Sequence, residues 1–315
     1  MNSGPVVSPQ IASRKRTGTT RWKKYGFYYL MAAPALIGFF IFDYLPMYGI
    51  ILAFKDYRFV DGIIGSPWVG LQHFEQFFSD IFFWRILKNT LIISSLHIVF
   101  GFPAPIILAL LFNELANKRF KMAVQTISYL PHFMSWVILA GIMVEVLSPS
   151  RGALNYLITL FGGKPIYFLA DTDYFVGVLV ASHVWQSIGW GSVVYLAGIA
   201  GINQDQFESA KIDGATRLQQ MRYITIPSLV PIMTILFILS IGGIMNAGFN
   251  QIFNLYSPAV YSVADVIDTY VYRVGLIETK YGFSTAVGLF KNVIGLILVL
   301  GTNYIVKRFN EYGIW

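Results

Sequence analysis

A few side chains in this sequence sit in surroundings that do not suit them, and these are where chemistry would be done. Lys291 is the one charged residue between Lys280 and Lys307. About eight residues into an apolar helix it would lie about 12 Å deep at 1.5 Å per residue. A lysine there has to pair, face a wet cavity, or snorkel, and Asp268, Glu278 and Glu145 are the candidate partners. Asn246, Asn250 and Asn254 recur every fourth residue, so a continuous helix would carry all three on one face. Trp185, Gln186, Ser187, Trp190 and Tyr195 cluster in another apolar stretch. Amides left without partners in hydrocarbon are costly, so these faces should meet water, protein or a ligand. The alternative is hydrogen bonding between helices beside small residues.

Other chemistries find little support. His97, His132 and His183 fall in three separate stretches with no metal-ligand spacing. Asp171 and Asp173 lie in a loop and make no convincing catalytic pair. There is no cysteine, which excludes thiolate metal sites, disulfides and cysteine nucleophiles. The phosphate-cradling pattern Gly-x4-Gly-Lys-Ser/Thr is absent. The chain is therefore expected to be no enzyme and to bind no cofactor itself.

The elements that must position these residues follow from composition. Of 315 residues, 56% are apolar and only 12% charged, against roughly 25% charged in soluble chains. Mean hydropathy is +0.59. An all-α integral membrane protein is expected, because the apolar runs are continuous rather than alternating as barrel strands are. At about 20 residues per crossing, six spans are predicted: Tyr25 to Phe54, Asn89 to Asn113, Met122 to Val144, Tyr174 to Gly201, Ser228 to Phe253, and Phe283 to Val306. The first is too long for a cleaved signal peptide and lacks a small-residue cleavage site. A basic tail (residues 1–24) precedes a transmembrane domain (25–306), and a short basic C-terminus (307–315) follows.

The net charge of +7 becomes a topology signal in such a chain. Fourteen of the 23 basic residues fall on one side of the spans, in the tail, the loops after spans two and four, and the C-terminus. Eleven of the 16 acidic residues lie on the other side. Both termini are expected to be cytoplasmic, with the tail near lipid headgroups and no role for nucleic acid. The long outer stretches, Lys55 to Lys88 and Glu145 to Asp173, are candidates for a receptor platform. Phe74, Phe77 and Phe78 are expected on an interfacial amphipathic helix.

Residues 203–227 carry the most information. Asn203 or Asp205 can cap a helix start. Phe207, Ala210 and Ile212 suggest a short apolar face, and Gly214 stops that helix. Leu218, Met221 and Ile224 begin a second amphipathic stretch before Pro227. A helix this short cannot span; it lies at the membrane base or docks into another protein.

This loop resembles that of the ATP-binding-cassette importer permeases, whose coupling loop carries Glu-Ala-Ala, a Gly four residues on, and an Ile-x-Leu-Pro ending. The matching residues are Glu208-Ser209-Ala210, Gly214 and Ile224-Thr225-Ile226-Pro227, with Ser209 and Ile226 as mild departures. Ile212-Asp213-Gly214-Ala215, Trp68-Val69-Gly70-Leu71-Gln72-His73-Phe74 and Asn89-Thr90 resemble the carbohydrate branch, which includes the alginate and maltose importer permeases. The resemblance implies a type I importer permease fold in the bacterial cytoplasmic (inner) membrane. It also implies a second permease (a homologue or a copy of this chain), two separate ATPase subunits that use ATP and Mg, and an extracytoplasmic solute-binding protein. Glu208, Ala210, Asp213, Gly214, Ile224 and Pro227 would then couple ATP hydrolysis to alternating access. Trp185, Gln186, Trp190, Asn246, Asn250 and Lys291 are candidates for an oligosaccharide path, since glycans need amides and aromatic faces. A cavity-facing Lys291 would favour a uronate, as in alginate. The competing reading is an ion- or proton-coupled carrier not driven by ATP, in which Lys291 and the histidines relay charge.

Overall fold

The computed structural model describes the backbone of residues 18–309 and the side chains of residues 25–308. Most of the basic tail and of the C-terminal segment lie outside the described residues. The chain divides into two units, residues 1–51 and 52–315.

In the first unit, α1 (Gly18–Phe39) is followed by a π-turn at Phe40–Tyr44 and a short helical turn with Pro46. Proline lacks an N–H and its ring crowds the carbonyl four residues back. The wider π-turn just before Pro46 accommodates both defects, so the apolar run Tyr25–Phe54 stays helical for 30 residues.

The second unit holds the remaining elements. A short amphipathic helix, α2 (Gln72–Ser79), precedes α3 (Phe83–Gly101) and α4 (Pro103–Glu114), which together form one 32-residue apolar run. Then come α5 (Lys118–Tyr129), α6 (Trp136–Val146), α7 (Ala153–Leu160) and α8 (Thr172–Ala200). After the loop helices α9 (Gln204–Ile212) and α10 (Arg217–Gln220) come α11 (Ile226–Gly242), α12 (Phe249–Leu255), α13 (Ile267–Tyr272) and α14 (Tyr281–Phe309). Among the described residues, the β contact is one isolated bridge between Lys55 and Trp68.

The central element is α8. At 29 residues it is about 43 Å long, and it packs on α3, α4, α5 and α11. The glycines that dilute its hydropathy are what let neighbours come close. At Gly189 a Cβ would lie 1.9 Å from the Ser128 carbonyl oxygen of α5. At Gly242 a Cβ would lie 2.2 Å from Val299 of α14. Small residues at crossings are how helices associate where apolar burial gives no advantage.

Among the described residues there are four helices long and apolar enough to cross a membrane, or five if a bent pair counts as one. The fourth predicted span is a continuous 29-residue helix, α8, but is not among the helices apolar enough to cross, and two other predicted spans are altered in their course. The third is broken: α5 runs into a 3-10 turn at Leu130–Phe133, Ser135 caps α6, and the two helices meet at 107°. Pro131 and the Ser135 cap both favour a new helix start over continuation. The fifth ends at Gly242 rather than Phe253, and α12 begins only after Gly248, whose φ of +88° suits glycine. At its other end the fifth helix begins earlier than expected. A π-turn at Met221–Thr225 absorbs Pro227, so the helical run extends from Arg217 to Gly242. Finally, Phe77 of α2 is fully buried, edge-on to Phe83 and Phe290, rather than interfacial.

Candidate functional site: a mid-bundle cavity and a capped loop

A cavity of about 550 Å³ lies between α3, α4, α8 and α11. Its polar wall comprises Ser94, His97, His183, Ser187, Tyr195, Ser240 and Asn246, set among apolar side chains. The His97 and His183 rings stack with centroids 4.0 Å apart and planes 8° from parallel. Ser187 donates to the His183 carbonyl at 2.7 Å and Ser240 to the Leu236 carbonyl at 2.8 Å. Their protons are therefore engaged, and each hydroxyl keeps acceptor lone pairs. Ser94 Oγ and His97 Nε2 are buried with no hydrogen-bond partner. Buried polar atoms are nearly always satisfied, so water or a ligand from the cavity is the natural partner. The wall offers donors, acceptors and imidazole faces but no net charge, which suits a hydroxyl-rich solute.

Of the path residues expected from sequence, Asn246 lies in this wall. The shared asparagine face does not form, because Asn246 precedes Gly248 in the connecting turn while Asn250 and Asn254 are on α12. Asn250 is exposed, and its carbonyl accepts from the Asn254 amide at 2.7 Å. Trp185 borders a separate apolar groove. Trp190 lies flat on His132, with centroids 5.1 Å apart, and meets Phe133 edge-on. Gln186 is half-buried on α8. Lys291 makes a hydrogen-bonded ion pair with Asp268, so its charge is matched. His97, His183 and Ser94 were missed as a group, since their approach is a property of helix packing.

A second polar cluster, at the end of the bundle opposite residues 203–227, was also missed. Asp265 is fully buried. It accepts from Arg273 through both carboxylate oxygens, the shorter contact being 2.7 Å, and from Thr269 at 2.9 Å. The Asn89 amide bridges the Ser262 and Asp265 carbonyls at 3.1 Å each, and Thr90 accepts from the Ile267 N–H at 2.9 Å. Tyr270 donates to Asp80. Its phenol is pushed above the ordinary 10.0 by burial, and further by the hydrogen bond to Asp80 and that carboxylate's charge.

At the other end, α9 is defined by its caps. The Asn203 side chain accepts from the Asp205 N–H at 3.0 Å. At the C-terminus Gly214, at φ +80°, closes a Schellman turn: Ala215 N–H donates to the Ala210 carbonyl at 2.8 Å and Gly214 N–H to Lys211 at 3.1 Å. Thr216 and Gln219 then form a capping box for α10. Phe207 and Lys211 turn inward over cavities of about 370 and 470 Å³ shared with Asn113 and Gln220. Glu208, Ile212, Asp213 and Leu218 are exposed, Ile212 by 86%. The apolar face expected from Phe207, Ala210 and Ile212 is therefore split. Phe207 and Ile212 are five residues apart, about 140° around a helix of 3.6 residues per turn. Ala210 and Ile224 are half-buried, and Pro227 is exposed.

Comparison with known proteins places this architecture. Residues 101–311 match the family model of the binding-protein-dependent transport system inner membrane component. Protein LplB of Bacillus subtilis (strain 168) is 44% identical over 91% of this chain and 90% of its own length. The polygalacturonan/rhamnogalacturonan transport system permease protein YteP of the same organism is 44% identical over 91% and 89%. The fold also matches a chain of a bacterial alginate ABC transporter solved with an alginate pentasaccharide-bound periplasmic protein. That match has a TM-score of 0.86 and 41% identity, covering 95% of this chain and all of the other. A second structure, of an importer of the acidic polysaccharide alginate, matches at a TM-score of 0.85 and 43% identity, over 92% and 98%. The apolar helices, the capped loop at residues 203–227 and these likenesses agree: the chain is an integral inner-membrane permease subunit of the binding-protein-dependent transport family.

Proposed function

We propose that this chain is the membrane-spanning subunit of an ATP-driven importer of an oligosaccharide or polysaccharide fragment, with an acidic, uronate-containing glycan as the favoured cargo. The observation that carries the reading is the likeness, over 95% of the chain, to a permease of an alginate transporter. The polygalacturonan name of a 44% identical relative points to the same substrate class. The charge-neutral polar cavity supports passage of hydroxyl-rich solutes, with Asn246, Ser94 and the His97–His183 pair as hydrogen-bonding groups. Trp185, Gln186, Trp190 and Asn250 would reach substrate only at a surface shared with a second permease. Lys291, held by Asp268, would shape the path by fixing α13 on α14.

In this reading both termini are cytoplasmic, and residues 203–227 face one of two ATPase subunits that hydrolyse ATP with Mg. Glu208, Asp213 and Gly214 stand on the exposed side of the loop. Ala210 and Gly214 form the tight turn that presents them, and Ile224 and Pro227 join the loop to α11. Closure of the ATPase pair would push α9, and α11 would carry the motion to the cavity wall. A solute-binding protein would deliver the glycan at the opposite face. The test is reconstitution with the cognate ATPase and binding protein. Uronate oligomers should stimulate ATP hydrolysis and enter vesicles, and Glu208→Ala should reduce both at least tenfold with assembly intact. Stimulation by neutral glycans alone would overturn the cargo assignment, and full activity of Glu208→Ala would overturn the coupling role.

A further inference from the structure

The cavity and the loop leave one built feature unexplained, on the opposite face of α3. Ser94, His97 and Gly101 of this helix face the cavity. Leu96 and Phe100 face away, into a groove between α3–α4 and α8 of about 870 Å³ with an almost wholly apolar wall. Along α8 the groove runs from Val176 to Ile188, the half of that 29-residue helix farther from the coupling loop. Twelve residues at 1.5 Å each give about 18 Å, close to the half-thickness of a hydrocarbon core of about 30 Å.

At its far end the groove adjoins a pocket of about 430 Å³ through the shared residue Val176. Trp84, Arg85, Lys88 and Asn89 line this pocket, and no carboxylate does. The nearest acid to Arg85 is Asp265, at 4.0 Å, and that carboxylate is already bound by Arg273 at 2.7 Å. Arg85 Nε is buried without a hydrogen-bond partner, and Lys88 is exposed. Two cations therefore stand in excess at the mouth of a leaflet-long apolar groove, beside a tryptophan, a residue enriched at membrane interfaces.

We propose that this groove holds an anionic phospholipid of the leaflet opposite the coupling loop, with its phosphate on Arg85 and Lys88 and one acyl chain along α8. Guanidinium recognises phosphate oxygens through paired N–H donors, and a neighbouring lysine adds a point charge. A zwitterionic headgroup gains less, because its ammonium meets no anion in the pocket. A glycan in transit is disfavoured as occupant, since the groove is apolar and lies on the side of α3 away from the cavity.

The test is native mass spectrometry of the whole transporter titrated with dioleoyl phosphatidylglycerol or dioleoyl phosphatidylcholine. The wild-type assembly should retain phosphatidylglycerol at least fivefold more tightly. Arg85→Gln with Lys88→Gln should abolish that preference while leaving the subunits together. Gly177→Leu should weaken both lipids by filling the groove, and it should fold, because a Cβ at Gly177 meets no atom within 4 Å. Equal retention of the two lipids, or an unchanged preference in the double variant, would overturn the proposal. So would a Gly177→Leu variant that sheds a protein subunit with lipid binding unaltered, which would make the groove a protein interface.

Discussion

The two ends of the bundle handle charge in opposite ways. At residues 203–227 the charged side chains are exposed, and the one cross-element ion pair, Arg217 with Glu114 at 3.6 Å, is open to solvent. At the other end Asp265 is completely buried, and its partners arrive from α3, α13 and the turn that follows α13. An exposed loop held by its own caps can dock to another protein without rearranging. A buried network fixes three elements to each other and tolerates little change. The first end is open and locally capped, the second is built for rigidity.

The largest expected effect comes from breaking the rigid end. Asp265→Ala leaves the half-buried Arg273 without its carboxylate, at a cost of about 3 kcal/mol. Thermal unfolding of the purified subunit should drop sharply, whereas Glu208→Ala should leave it unchanged. Equal shifts in the two variants would erase the contrast. Next is Thr90→Val, which leaves the Ile267 N–H unpaired at about 1–3 kcal/mol, read as a lower unfolding temperature. Gly214→Leu forces a branched side chain to φ +80° at roughly 1–2 kcal/mol. It should reduce ATPase coupling much more than thermal stability. The Arg217–Glu114 pair is the smallest: Arg217→Ala should cost under about 1 kcal/mol, and that cost should vanish in high salt.

A pH scan sharpens the same comparison. The Tyr270 phenol is raised above 10.0 by burial and by Asp80. Its neutral form is the one the fold favours, so its contribution is complete below pH 10 and is lost as pH climbs toward the raised value. Tyr270→Phe should flatten the alkaline limb of the stability curve. An identical alkaline limb in the variant would assign that loss to other groups.

The loop at residues 203–227 was largely legible from the chain because its determinants are local. Asn203, Gly214 and Thr216 act on backbone groups two to five residues away. Its facing was not, since the rotation of α9 that turns Phe207 inward and Ile212 outward depends on what α9 packs against. The asparagine repeat misled because a period of four carries meaning only along an unbroken helix, and the segment Gly243–Gly248 interrupts it. The α5–α6 bend was marked by Pro131 and Ser135, but apolar content alone reads through such a break.

By itself, the sequence determined that this protein is helical and membrane-embedded, and where the caps of the loop at residues 203–227 lie. Those properties follow from composition, period and caps, whose interactions close within one or two helical turns. Only the tertiary structure decided that His97 stacks on His183, that Lys291 is matched by Asp268, and that Asn89 supports a buried Asp265 176 residues away. Contacts at that separation depend on helix rotation and crossing, which are set by the close approaches at Gly189 and Gly242 rather than by any local pattern.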